Sequence, residues 1–196
     1  TYYRIFISNY LPEYVENIIF LDCDVICLVD PIEYFKLEIE KLTKSNFILS
    51  ARTEHKKEID EINNAIYKRL DMNGPYFNAG VMIIDYKKWK KKNIQNKLIN
   101  KMIEYKDQIY QWDQDVLNSL FDGKYIELDM SYNFPASKIN STNDNLNPII
   151  LAHFLGSKKP WNTSGVFNYS SELYHSNYRK IFNNINILII FFYSQT

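Results

Sequence analysis

Asp22 and Asp24 are two carboxylates separated by a single residue, Cys23. In an extended segment residues i and i+2 point to the same side, so the two carboxylates converge. Like charges that close repel unless a cation sits between them. Oxygen ligands favour Mg2+ or Mn2+, and such an ion bridges naturally to a diphosphate. The competing reading is a solvated turn at a strand end, because a bare D-x-D is an unspecific motif. A second group runs His153-Phe154-Leu155-Gly156-Ser157-Lys158-Lys159-Pro160-Trp161. An imidazole added to two carboxylates suits Mn2+ better than Mg2+. Gly156 permits close backbone approach, and a lysine beside it can meet phosphate.

Two further groups suit a sugar. In Tyr76-Phe77-Asn78-Ala79-Gly80-Val81, the small Ala-Gly pair lets a ligand approach the backbone, although a plain turn into a strand has the same look. In Trp112-Asp113-Gln114-Asp115-Val116-Leu117-Asn118, carboxylates and amides can accept from or donate to hydroxyls in pairs. The plainer reading of Asp113 is a helix N-cap.

These groups need elements to hold them. Thr1 to Asn9 reads as a short helix stopped by Pro12. Ile18-Ile19-Phe20-Leu21 is an apolar run that suits a central strand of a parallel sheet, buried on both faces. Asp30-Pro31 opens a helix with Asp30 as N-cap. Strands are expected at Phe47 to Ala51, Val81 to Ile84, Tyr125 to Leu128 and Ile149 to Phe154. Helices are expected over Asp60 to Leu70, Trp89 to Asp107, Asp113 to Phe121 and Ser171 to Asn183. Strands and helices mix throughout, so the class is α/β. Ligands in such sheets bind beyond the carboxyl ends of strands, which is where Asp22, Asp24 and His153 fall.

The 196 residues suffice for one sizeable core. Lys+Arg and Asp+Glu both number 23, so no general charge draws the chain to nucleic acid or acidic membranes. Cys23 and Cys27 lie on an apolar pattern and read as buried free thiols, which favours a reducing compartment and a cytoplasmic location. The apolar run Ile187 to Tyr193 is far short of the ~20 residues a membrane span needs. It is expected to pack on the core, with peripheral contact at the inner face of a bacterial membrane as the alternative.

The four groups, in this order, resemble the family 8 glycosyltransferases, which include lipopolysaccharide galactosyl- and glucosyltransferases and glycogenin-type enzymes. The carrying residues are Phe20-Leu21-Asp22-Cys23-Asp24-Val25, Phe77 to Val81, Asp113 to Asn118 and His153 to Trp161, with Thr1-Tyr2-Tyr3-Arg4 matching the helix before the metal strand. The resemblance implies a GT-A fold, a Rossmann-like mixed sheet flanked by helices, and a retaining transferase that uses a UDP-hexose and Mn2+, with Mg2+ as second choice. Asp22, Asp24 and His153 would ligate the metal, with Cys23 between them in the donor site. Gly156 and Lys159 would hold the diphosphate, and Arg4 would lie near the phosphate or donor sugar. Asn78, Ala79, Asp113 and Gln114 would bind that sugar, with Gln114 and Asp113 the catalytic pair. The acceptor would be an oligosaccharide or glycolipid, in lipopolysaccharide or surface glycan synthesis. Residues 1–161 would form the family-like core and 162–196 a C-terminal helical tail of a single, partial domain. The family's first nucleotide-binding strands would precede Thr1, so the expectation is an N-terminally truncated chain; the alternative function is an inactive or sugar-binding fragment. A haloacid-dehalogenase-type phosphatase also uses Asp-x-Asp after an apolar strand. It requires a later acidic pair that this chain does not show, and it leaves His153, Gly156 and Lys159 unexplained.

Overall fold

The computed structural model describes residues 2–57, 61–139, 148–166 and 169–182. Its elements in chain order are a 3-10 segment (Tyr2–Asn9), β1 (Asn17–Leu21), β2 (Val25–Cys27), α1 (Ile32–Lys44), β3 (Leu49–His55), α2 (Glu61–Arg69) and β4 (Tyr76–Asp85). Next come α3 (Tyr86–Lys91), α4 (Ile94–Glu104), α5 (Trp112–Phe121), β5 (Ile126–Glu127), β6 (Phe134–Pro135), β7 (Leu151–His153) and α6 (Tyr169–Phe182). The chain divides into two compact units: Thr1–Leu21 with Ile32–Asp129, and Asp22–Pro31 with Met130–Thr196.

In the first unit the sheet order is β1-β4-β3-β5. All ten residues of β4 are buried, and Val81, Ile83 and Ile84 supply the branched side chains that pack well on a pleated surface. β1 and β3 flank β4 antiparallel, and β5 adds to β3 in parallel, so the sheet is mixed as expected. The apolar run before Asp22 is not a central parallel strand, however. β1 lies at the sheet edge, pairs antiparallel, and leaves Ile19 and Leu21 exposed. An apolar run alone does not say on how many sides a strand is covered; here β4 takes the doubly buried place.

Two irregularities interrupt the β3–β4 ladder. Ala51 faces Met82 but Arg52 faces Asn78, so β4 spends three extra residues, Ala79, Gly80 and Val81, at that point. Thr53 faces Phe77 but His55 faces Tyr76, so Glu54 is an extra residue on β3. Bulges of this kind re-aim side chains and release backbone groups from the ladder.

The expected helix from Trp89 to Asp107 is two helices, α3 and α4. They part at Asn93, whose φ of 51° lies in the left-handed region that asparagine tolerates. Asp85 caps α3 by accepting from Lys88 N at 2.8 Å. Lys88 in turn donates to Leu42 O, Thr43 O and Ser45 O at the end of α1, satisfying carbonyls that have no partner inside that helix. α1 starts at Ile32, one residue later than Asp30-Pro31 suggested. The core of this unit joins Ile5, Leu49, Phe77, Met82, Trp89, Leu98, Leu117 and Phe121.

In the second unit the sheet order is β2-β7-β6, with β2 antiparallel to β7 and β6 parallel to it. Ala136, Ala152 and Phe154 form its apolar centre, with Ile26, Leu28 and Tyr174 packed on them. Cys23 and Cys27 are exposed rather than buried. Cys23 sits in the turn closed by Val25 N donating to Asp22 O, and Cys27 ends an edge strand. The burial on which the reducing-compartment reading rested is therefore lost. The run from Ile187 to Tyr193 lies outside the described residues, and no helix among those described is long and apolar enough to cross a membrane.

Asn118 fastens α5 to β4. Its Oδ1 accepts from Phe77 N at 2.8 Å, and its Nδ2 donates to Phe77 O and Gln114 O, each at 2.9 Å. Asn118 itself is fully buried. Asn118→Ala should lower the unfolding free energy by about 2–4 kcal/mol, because it strands two buried backbone groups at about 1–3 kcal/mol each. Urea denaturation measures it, and a loss below about 0.5 kcal/mol, the size of an ordinary surface substitution, would show that the anchor is not needed.

Candidate active site

In the first unit, Arg4, Asn78, Ala79, Asp113 and Gln114 come together around the β4 bulge. Arg4 Nη1 donates to Ala79 O, and its Nε pairs with Asp113 Oδ2. Both side chains are buried, and the guanidinium lies 4.0 Å from the centre of the Phe20 ring. Gln114 Oε1 accepts from Ala79 N at 2.9 Å, while its Nε2 donates to Glu54 Oε2 at 3.0 Å and lies 3.3 Å from Tyr76 Oη. Asn78 Oδ1 accepts from Gly80 N at 2.9 Å, and its Nδ2 donates to the same Glu54 oxygen at 3.3 Å.

Asp113 does not cap α5: the cap position is Gln111, which makes no side-chain cap bond. Asp115 instead reaches back to the preceding turn, its Oδ2 accepting from Tyr110 N at 2.7 Å and Gln111 N at 2.8 Å. Asp115 is fully buried and also takes Arg69 Nη1 at 2.6 Å and Tyr76 Oη at 2.8 Å. Burial works to raise its carboxyl, but the hydrogen bonds from Arg69 and from the two backbone N–H groups prevail and hold it low. The Tyr76 hydroxyl is pushed well above its ordinary value by burial and by the Asp115 charge. Trp112 opens α5 with φ 46°, unusual for so bulky a residue, held there as Gln114 N donates to Gln111 O at 3.0 Å and Asp115 pins the preceding turn.

The second unit collects Asp22, Asp24, His153 and Lys159. One candidate ligand atom each from Asp22, Asp24 and His153 lie within 4.8 Å of one another. His153 Nδ1 is 2.9 Å from Asn133 Oδ1, which fixes the orientation of the ring, and its Nε2 lies 3.2 Å from Asp24 Oδ1. The donor set of two carboxylates and one oriented imidazole fits a divalent ion of the Mn2+ type. Lys159 Nζ donates to Asp24 Oδ2 and to Phe154 O. Burial would raise the Asp24 carboxyl, but the hydrogen bonds and charges of His153 and Lys159 outweigh it and hold it at about 2. Gly156 has φ 78°, which suits glycine, and lines a cavity of about 500 Å³ with Ser157, Lys158, Tyr169 and Ser170. Cys23 is exposed between the two aspartates.

Sequence reasoning missed Glu54, Tyr76, Arg69 and Asn133. Asn133 precedes a two-residue strand and gave no signal. Glu54 stands in Arg-Thr-Glu-His, which matches no motif, and its placement comes from a bulge that spacing does not announce.

The sequence model of glycosyl transferase family 8 matches residues 1–165. General stress protein A of Bacillus subtilis is 31% identical over 192 residues, covering 89% of this chain and 63% of its own length. The lipopolysaccharide 1,2-glucosyltransferase of Escherichia coli is 27% identical over 179 residues, covering 85% of this chain and 50% of the relative. The chain thus spans roughly half to two thirds of the length of these relatives. The crystal structure of the galactosyltransferase LgtC with donor and acceptor sugar analogues superposes with a TM-score of 0.74 at 23% identity, covering 94% of this chain and 68% of that one. The fold is therefore the GT-A α/β fold.

The Asp24 carboxyl sets a pH test. Its value falls from 3.8 to about 2 on folding, so it stabilises the fold above pH 4 and loses that contribution as pH falls through 2. The contribution should be about 2 kcal/mol. With chelator present, the unfolding free energy of wild type minus Asp24→Asn should shrink by that amount between pH 5 and pH 2. A difference independent of pH would show that His153 and Lys159 do not hold the carboxylate.

Proposed function

The chain belongs to glycosyl transferase family 8, and from that premise we propose that it carries the catalytic part of a retaining hexosyltransferase. The enzyme moves galactose or glucose from a UDP-sugar to a glycan acceptor, an oligosaccharide or glycolipid of the kind used in surface glycan synthesis. The similarity to the E. coli lipopolysaccharide 1,2-glucosyltransferase and to the galactosyltransferase LgtC supports a hexosyl group and a glycan acceptor. The observation that carries the reading is the cluster of Asp22, Asp24 and His153 with Lys159 beside it, a donor set that would become a receptor for a diphosphate once it held a divalent ion.

Asp22, Asp24 and His153 would hold the divalent ion, whose chemistry when bound is to neutralise negative charge on the leaving diphosphate. Lys159 adds a second positive charge to the same leaving group, and Gly156 admits its phosphates close to the backbone. Gln114 is a poor nucleophile: an amide oxygen is neutral and weakly basic, and this one already accepts from Ala79 N. Its role, beside the Asp113–Arg4 pair, is to offer a preorganised dipole, oxygen end first, to the oxocarbenium-like sugar. The acceptor hydroxyl then attacks on the face from which UDP departs, and the leaving phosphate takes the acceptor's proton. Arg4 holds Asp113 in its orientation through their buried pair.

Mn2+ with UDP at about a hundred times the dissociation constant should raise the melting temperature by roughly 5 °C, from about 2.7 kcal/mol of binding free energy. Asp24→Asn should abolish the shift. UDP release from UDP-galactose or UDP-glucose should depend on Mn2+. An unchanged melting curve with both ligands present would sink the metal-diphosphate reading, and phosphate release from simple phosphomonoesters would redirect it to phosphatase chemistry.

A further inference from the structure

We propose that α6 is a brace that holds the Lys159 turn against Asp24, with His175 and Ser171 as positioning residues for the diphosphate side of the site. The inference rests on the functional reading above for its consequence, but its geometry stands on its own. The helix lies beyond residues 1–165, the stretch the family's sequence model matches.

The turn that carries Lys159 has little regular structure to support it. Its internal bonds include Lys159 N to Ser157 O, Asn162 N to Lys159 O and Val166 N to Asn162 O, all 3.0 Å, and Gly165 N to Asn162 O at 2.9 Å. Ser157 and Lys158 are exposed. Such a turn cannot fix the end of a long lysine side chain unless something outside it fixes the backbone.

α6 supplies that support from one face. Ser171, Tyr174, His175 and Tyr178 stand at i, i+3, i+4 and i+7, which places them in one stripe of the helix. The buried Ser171 hydroxyl donates to Gly165 O. His175, 8% exposed, has Nε2 at 3.0 Å from the carbonyl of Pro160, the residue after Lys159. A carbonyl only accepts, so His175 carries its proton on Nε2. The Tyr174 ring meets Phe154 nearly at right angles at 5.8 Å and Trp161 at 5.4 Å, closing both ends of the segment around Lys159. Asn177 donates to Cys27 O at 3.1 Å, which ties α6 to the strand after Asp24.

Gly165 makes the fit tight. A Cβ built on it would stand 1.9 Å from Lys159 O and 2.6 Å from Lys159 C, both backbone atoms that cannot step aside cheaply. The peptide that carries Lys159 is thus packed directly on the residue that Ser171 holds. Outer contacts of this kind orient the groups that meet a metal or phosphate, and their loss typically weakens binding without removing a ligand.

The test uses the full 196-residue chain. His175→Leu removes the bond to Pro160 O, His175→Gln keeps an N–H donor there, Ser171→Ala removes only the bond to Gly165 O, and exposed Lys180→Ala is the control. Amide hydrogen exchange of residues 157–163, measured without metal, should quicken roughly tenfold in His175→Leu and less in Ser171→Ala, with His175→Gln close to wild type. In titration calorimetry with Mn2+ present, UDP affinity should fall roughly tenfold in His175→Leu, return most of the way in His175→Gln, and stay unchanged in Lys180→Ala. If His175→Leu does not fold, Ser171→Ala and His175→Gln decide. Wild-type exchange rates and UDP affinity in a folded His175→Leu or Ser171→Ala protein would overturn the brace. A wild-type chain that binds no UDP with Mn2+ would instead overturn the functional reading, and the exchange rates would still test the brace.

Discussion

The peptide of Ala79 carries a buried N–H and a buried C=O at a point where β4 has slipped out of register with β3. Each such group costs about 1–3 kcal/mol if left unmet. Gln114 Oε1 meets the N–H and Arg4 meets the C=O. Each answer raises a new requirement. The Gln114 amide must then place its own N–H groups, and it does so on Glu54 and Tyr76. A buried guanidinium needs a counter-charge, and Arg4 has Asp113. Tyr76 passes its proton bond to Asp115, and Asp115 takes Arg69. A slip in one ladder thus ties Gln114, Arg4, Glu54, Tyr76 and Asp115 into one connected network, and such connected networks are rigid.

The second unit obeys the same logic with different parts. Its chemistry-bearing segment is again irregular backbone held by side chains rather than by a ladder. Asn133 orients His153, His153 and Lys159 flank Asp24, and α6 backs the Lys159 turn. Two carboxylates, an imidazole and an ammonium group meet there. A divalent ion held by them would add positive charge, the sign a leaving diphosphate calls for.

Much of this is legible in the residues, and the failures have physical causes. The acidic triplet and His153 stand out because metal ligation needs few residue types and a short spacing, and the structure does bring them together. The Val81 to Ile84 part of β4 is readable because its apolar run leaves little else to form, whereas Tyr76 to Gly80, which has the look of a turn, is buried strand as well. The place of β1 is not readable, since an apolar run looks the same at an edge as in the centre. The break in the helix from Trp89 is hidden, because Asn93 costs little in a left-handed conformation and leaves no mark in the apolar period. Asp113 looks like the cap of α5, yet Asp115, two residues on, reaches the backbone; both are acids in the first turn, and only the path of the preceding loop decides between them. Glu54 is invisible for the same reason that it is useful: a bulge, not a motif, aims it.

Glu54 also bears on what Gln114 can do. Three carboxylates belong to the network around that amide, and Glu54 alone of them touches it. Asp113 and Asp115 are each neutralised by an arginine, Arg4 and Arg69. Glu54 makes no ion pair among the described residues and is held by the amide N–H groups of Asn78 and Gln114. The uncompensated charge beside Gln114 is therefore negative, half-buried, and attached to the amide's nitrogen end. It polarises the amide so that the oxygen gains negative character. A sugar passing through an oxocarbenium-like state carries positive charge, and a fixed dipole backed by a carboxylate stabilises that charge without forming a bond. A covalent role would bond the sugar to an oxygen that already accepts from Ala79 N, and would weaken that acceptor. The electrostatic role leaves the whole network in place through the reaction, which is the condition for a preorganised site to act at no cost in rearrangement.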